Sequence, residues 1–143
     1  MPPGALNREE GHALLDSRPG WITLTTLSPN GYPHSVPIGY FRLGDEIFIG
    51  CRHPTQKTRN VARDPRVSLL IESGSTMRDI KGLLIQGDAD LVTDDGERLR
   101  LAREAARQRG VADAELPAQP APGGAYIRVR PRRTISWDYA KGS

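Results

Sequence analysis

Between Gly50 and Arg66 the chain reads Gly-Cys-Arg-His-Pro-Thr-Gln-Lys-Thr-Arg-Asn-Val-Ala-Arg-Asp-Pro-Arg. Arg52, Thr55 and Lys57 are residue types that hold an oxyanion, and they sit where an apolar run gives way to a helix. The preceding Glu46-Ile47-Phe48-Ile49 is β-like, and Pro54 has the fixed φ of a first helical position, so the sequence predicts a helix from Pro54. Its end is expected at Asp64-Pro65, because a residue before proline is pushed out of the α region. A helix N-terminus has free N–H groups and about half a positive charge, so Arg52 and Lys57 are misplaced there unless an anion joins them. A phosphate would accept from the backbone amides, Thr55 and Lys57. The competing reading is a basic connecting helix whose cations are solvated.

The elements that position this stretch follow from periodicity. Asn7 with Glu10 resembles a capping box, and Leu6, Ala13, Leu14 and Leu15 supply an apolar face to a short helix expected to plug one end of a barrel. Gly20 to Leu27 reads as a strand, and Ser28-Pro29-Asn30-Gly31 as its turn. The return strand, Tyr32 to Leu43, contains Pro33 and Pro37, so an edge or a bulge is expected at Pro37, with Gly39 allowing close backbone approach. Strands follow at 46–50, 66–72 and 80–92, then a helix over 97–109. A Pro/Gly-rich loop spans 116–124, and the last strand starts at Ala125 and continues past Pro131 toward Trp137. About six strands with flanking helices predict a small antiparallel barrel in a single domain covering residues 1–143.

At 143 residues one core suffices. No apolar run approaches the roughly 20 residues of a membrane helix. The N-terminus, with Arg8, Glu9 and Glu10, has no signal-peptide pattern, so a cytoplasmic protein is expected. Cys51 is the single cysteine, which excludes an intrachain disulfide and paired-cysteine metal clusters; with three histidines and no helical His pair, no metal site is expected. A net charge of +3 and a pI of about 9.3 suit phosphates, nucleic acid or ordinary surface chemistry alike.

Gly31-Tyr32-Pro33-His34, Gln56 to Ser68, Lys81-Gly82 with Gln86-Gly87-Asp88-Ala89, and Ser136-Trp137-Asp138 with Lys141 resemble the pyridoxamine-phosphate-oxidase-like split-barrel superfamily. The likeness runs over roughly residues 8 to 141, and its most specific part is Lys57-x-x-Asn60-(x)3-Asp64-Pro65-Arg66, closest to the flavin/deazaflavin-dependent oxidoreductases. It implies a six-stranded split β-barrel and a homodimer with cofactor sites across the interface. By the same resemblance, Thr55, Gln56 and Lys57 hold the cofactor phosphate, Gly50 and Cys51 run beside its ribityl chain, and Arg52 is counted among the cofactor-binding residues. Ser35, Val36, Pro37 and Ile38 offer the backbone facing the tricyclic ring. Lys81 approaches the cofactor, and Trp137 comes from the other subunit. Gly39 departs from the family pattern in lacking a bulky aromatic, which reshapes the pocket over the ring, and Met77 stands near a tyrosine position.

The function expected is hydride transfer between bound coenzyme F-420, or FMN as runner-up, and a small organic substrate. The alternative is a flavin- or haem-binding carrier without turnover, since the fold does not settle activity. No catalytic acid stands out, and Tyr40 and Lys81 are the two candidate proton donors. Arg128, Arg130, Arg132 and Arg133 are read as a solvated basic strand end, with contact to a polyanionic cofactor tail as the alternative. Nucleic-acid binding is not expected, because interleaved aromatics and a helix-turn-helix are lacking.

Overall fold

The computed structural model describes residues 4–17 and 21–141; Gly20, the start of the first predicted strand, lies outside them. In chain order the elements are α1 (Arg8–Ser17), β1 (Ile22–Leu27), β2 (Pro33–Ile38), β3 (Phe41–Leu43), β4 (Glu46–Arg52), α2 (Gln56–Arg63), β5 (Arg66–Ser73), β6 (Lys81–Val92), α3 (Asp95–Gln108) and β7 (Gly124–Asp138). Two 3-10 turns cover Asp113–Glu115 and Tyr139–Lys141. The strands form one antiparallel sheet in the order β2-β1-β5-β6-β7-β4-β3.

Six strands were expected and seven form, because the run from Tyr32 to Leu43 breaks at Gly39 and Tyr40. Its halves lie at opposite edges of the sheet: β2 pairs with β1, and β3 with β4. Three Cα–Cα steps join Ile38 to Phe41, a span of at most roughly 11 Å. The sheet must therefore curl until its edges nearly meet, which makes it a split barrel. β2 is the edge expected from its prolines, and its register with β1 runs unbroken from Ile38 to Pro33. The bulge lies elsewhere, in β7, where Gln86 pairs with Arg133 and Gly87 with Pro131, leaving Arg132 as the extra residue.

Alternation fills the barrel. Ile22 and Leu24 of β1, Ile47 and Ile49 of β4, Leu69 of β5, and Ile127 and Val129 of β7 are all buried in one cluster. The capping box of α1 forms as read, Asn7 N–H donating to Glu10 Oε1 and Glu10 N–H to Asn7 Oδ1. Leu14 and Leu15 then enter the main core, so α1 plugs the barrel. In α3, Asp94 caps the N–H of Glu97, and the helix begins earlier than the predicted Glu97. Leu101 of α3 packs with Phe48 and Val92 in a second cluster beside Phe41 and Tyr126. Among the described residues no helix is long and apolar enough to cross a membrane.

The basic strand end is largely exposed, as a solvated patch would be, and three of its four arginines also have acidic partners. Arg128 pairs with Asp90 at 2.7 Å, Arg130 with Asp90 at 3.0 Å and Glu46 at 3.2 Å, and Arg132 with Asp88 at 2.7 Å. Opposite charges on adjacent strands face each other because the β6–β7 register places Asp88 opposite Arg130 and Asp90 opposite Arg128.

Asn60, fully buried on α2, ties this helix to the sheet: its Nδ2 donates to Thr26 Oγ1 at 2.9 Å, and its Oδ1 accepts from Gln56 Nε2 at 2.7 Å. Asn60→Ala leaves the Thr26 hydroxyl buried without that partner and should lower stability by about 1–3 kcal/mol in urea unfolding. The Asp64 carboxyl is lowered to about 2, first by the side-chain hydrogen bond from Arg66 and then by the Arg66 backbone N–H. A depressed carboxylate contributes stability that is present above its unfolded value and lost as pH falls toward 2. Asp64→Asn should therefore flatten the pH dependence of unfolding between about pH 4 and 2, and a titration followed by NMR should place the wild-type carboxyl at the low end of that window.

Candidate functional site

The helix of the candidate anion-binding stretch begins at Gln56, two residues after the predicted Pro54. Pro54 precedes the helix, and Thr55 is the N-cap, with extended φ −138° and ψ 173°. Thr55 and Thr58 close a reciprocal capping box: Thr55 N–H donates to Thr58 Oγ1 at 2.8 Å, and Thr58 N–H to Thr55 Oγ1 at 3.4 Å. Two threonines at this spacing satisfy two donors at once, which outweighs the preference of proline for the first helical position. The Thr55 hydroxyl is thereby engaged in the cap. Among the described residues the N–H groups of Gln56 and Lys57 find no backbone or side-chain acceptor, and the first turn of α2 has no acidic residue. What this turn offers an anion is two amides, the helix field and the Lys57 ammonium.

β4 leads into this turn with Gly50, Cys51 and Arg52. Gly50 is exposed and pairs with Tyr126, whose ring lies 3.2 Å from where a Cβ at Gly50 would stand. The Cys51 side chain packs on the main core, and burial pushes its thiol up while Lys57 opposes the shift. On β2, Val36 and Ile38 pack on that same core, whereas Ser35 and Pro37 face outward, Ser35 Oγ lying 2.8 Å from Thr25 Oγ1. Asn60 reaches Thr26, which pairs with His34 of β2. Thus β2, the end of β4 and the start of α2 meet at one end of the barrel.

Lys81 and Trp137 are not brought there. They sit at the far end of β6 and β7, with Lys81 opposite Asp138 and Trp137 opposite Gly82. The α2–β5 junction touches β6 at Ala89, whose N–H donates to Pro65 O. Eight residue steps along the strand separate Lys81 from that point, roughly 26 Å. The Trp137 ring crowds Gly82, standing only 2.3 Å from where a Cβ would be. Of the two proton-donor candidates, Tyr40 donates its hydroxyl to Leu15 O, and Lys81 is remote.

An outer-face row links the two groups across the sheet: Pro37, Thr23, Leu70, Leu84 and Ile135 are successive cross-strand partners, and Leu70 and Ile135 are both exposed. The row beside it passes through Thr25, Ser68, Gln86 and Arg133 and lines a groove of about 460 Å³. Sequence reasoning singled out Gly39 and Gly50 but missed the residues that share a cavity of about 620 Å³ with them, notably Phe41, Tyr126 and Arg109. They come from three separate elements, and only the Gly110 stop, which fixes where α3 ends, hints at Arg109.

A family model of pyridoxamine 5'-phosphate oxidase matches residues 9–138. No curated protein sequence matches the chain. Among solved structures, the conserved hypothetical protein Rv2991 from Mycobacterium tuberculosis is similar at 27% identity and a TM-score of 0.82, covering 95% of this chain and 87% of that one. An F420 reductase is similar at 23% identity and TM-score 0.65, with 87% and 94% covered. The FAD and heme binding protein from Mycobacterium smegmatis is similar at 20% identity and TM-score 0.74, with 92% and 71% covered. The last two likenesses are of fold. Because the family match runs from the first turn of α1 to the end of β7 and the curled antiparallel sheet is that of the split barrels, the chain belongs to the pyridoxamine 5'-phosphate oxidase family.

Proposed function

We propose that the protein is an oxidoreductase that uses coenzyme F-420, with FMN as the runner-up, and acts as a homodimer on a small organic substrate. The observation that carries this reading is the first turn of α2: two unpartnered amides and Lys57, no acid, at the end of the strand bearing Gly50 and Cys51. That donor set fits a cofactor phosphate. The resemblance of the Lys57-to-Arg66 stretch to deazaflavin enzymes, together with the fold of an F420 reductase, supports the deazaflavin over FMN. The bound cofactor would supply the hydride chemistry; the chain binds its phosphate at Gln56 and Lys57, presents the β2 backbone from Ser35 to Ile38, and excludes water with the barrel wall.

The run Leu70, Leu84 and Ile135 within that row supports the dimer, because adjacent apolar side chains on a sheet face favour burial. A second copy seated there would bring its own Lys81 and Trp137 to the interface, the two site residues that one protomer keeps apart. The ion pairs of Arg128, Arg130 and Arg132 with Asp88, Asp90 and Glu46 support a reading without nucleic acid, since these cations already have partners. A carrier without turnover is favoured by one observation: Tyr40, the nearer proton-donor candidate, is committed to Leu15 O.

Fluorescence titration of the apo-protein with F-420 and separately with FMN should show micromolar or tighter binding, with F-420 preferred. Lys57→Ala should weaken it by about tenfold or more, the loss expected for one charge-assisted hydrogen bond. Unchanged affinity in that variant, or binding of neither cofactor, would refute the assignment, and tight binding with no acceleration of hydride loss to any acceptor would favour the carrier. In sedimentation velocity the wild type should run as a dimer and Ile135→Glu as a monomer with reduced cofactor affinity.

A further inference from the structure

The cavity of about 620 Å³ beside Gly39 and Gly50 has the makings of a second recognition site. Its size falls within the range of pockets that enclose small ligands. Neither glycine has a side chain to occupy the space, and at Gly50 a Cβ would already crowd Tyr126 at 3.2 Å. The walls are aromatic and held from behind. Phe41 stacks on Phe48 with centroids 5.4 Å apart, and Tyr126 meets Phe41 edge-on at 6.0 Å and 87°. Planar ligands stack or pack edge-on against such rings.

Among the described residues, the polar side of the cavity carries one cation without an ion pair. Arg42 is bound to Asp16 through Nε and Nη2 and to Gly44 O through Nη1. Gln108 Nε2 donates to Arg42 O at 2.9 Å, which fixes its amide and leaves its carbonyl oxygen as an acceptor. Arg109 differs. Its backbone N–H closes the last turn of α3, so the residue is fixed at the rim, but among the described residues its guanidinium faces no carboxylate. Its charge is felt at the Tyr126 phenol, which burial nonetheless pushes up, so the phenol stays protonated as a hydrogen-bond donor. Asp16 and Arg42 cancel, and among the described residues the cavity is left with a single positive charge.

We propose that this cavity binds a small planar aromatic molecule bearing one carboxylate, the ring lying against Phe41 and Tyr126 and the carboxylate on Arg109. Guanidinium and carboxylate match in a planar, two-hydrogen-bond geometry. Because Gly50 belongs to both this cavity and the strand assigned above to the cofactor, the aromatic acid is also the substrate class of the oxidoreductase; that clause alone rests on the proposed function.

The test uses 2-naphthoate as probe and neutral 2-naphthalenemethanol as its uncharged counterpart, each titrated into the full-length protein by calorimetry. Naphthoate should bind more tightly than the alcohol. Arg109→Gln should weaken naphthoate by about tenfold or more while leaving the affinities for the alcohol, F-420 and FMN unchanged. Gly39→Leu should weaken both naphthyl compounds. Arg109 is exposed, so its variant should keep the wild-type urea midpoint and provides the decisive comparison even if Gly39→Leu fails to fold. The proposal is overturned if neither naphthyl compound binds saturably, if acid and alcohol bind alike, if Arg109→Gln leaves naphthoate unaffected, or if that variant also loses cofactor, which would make the cavity part of the cofactor site. Arg109-dependent naphthoate binding in a protein that takes up neither F-420 nor FMN would sustain the cavity assignment and sink the cofactor reading, so the two failures are distinct.

Discussion

Everything in this molecule depends on the short link between the two edges of its sheet. β2 and β3 are terminal strands on opposite sides, yet only Gly39 and Tyr40 separate them. A covalent tether that short leaves a seven-stranded sheet no choice but to curl. Curling encloses the Val, Ile and Leu side chains of alternate positions and brings the end of β4 to the same barrel end as β2. The tether also leaves a gap in the ladder, because β2 and β3 are joined there without pairing. The aromatic cavity sits at that gap, bounded by the last turn of α3.

The second determinant is the anchoring of α2. A helix of eight residues has little intrinsic stability in water, so its orientation is set by what it touches. Asn60 is buried and bonded to Thr26, Arg63 reaches Leu27 O, and Pro65 O accepts from Ala89. These contacts hold the helix across the ends of β1 and β6 and leave its first turn open. The capping box made by Thr55 and Thr58 then fixes which amides remain available, Gln56 and Lys57. The candidate anion site therefore derives its geometry from contacts at the other end of the same helix, above all the buried Asn60–Thr26 bond.

The third is the bulge at Arg132. Up to Pro131 the odd-numbered residues of β7 face the core; beyond it the even-numbered ones do, so that Thr134 and Ser136 line the cavity under α1 while Ile135 and Trp137 face outward. One inserted residue thus turns two large apolar side chains from the interior to the outer face. Gly87 permits it, since a Cβ there would stand 2.6 Å from Arg130 O. The outer apolar row and the position of Trp137 over Gly82 both follow from this one irregularity.

Local features of this chain were legible without coordinates. The capping box of Asn7 and Glu10, the edge character enforced by Pro33 and Pro37, the long β6 and the cationic turn before Lys57 are each written in neighbouring residues, because caps, turn chemistry and alternation act over a few positions. The resemblance added the split barrel and a candidate cofactor stretch. Other features needed the tertiary structure. The division of Tyr32 to Leu43 between two sheet edges, the parity change at Arg132 and the pairing of Asp90 with Arg128 depend on which strands become neighbours. So does the meeting of Gly39, Gly50, Arg109 and Tyr126 around one cavity. Sequence by itself determined the elements and their chemistry, whose physics is local; only the closed sheet decided which side chains share a face or a cavity, because register and curvature are set by contacts between residues far apart in the chain.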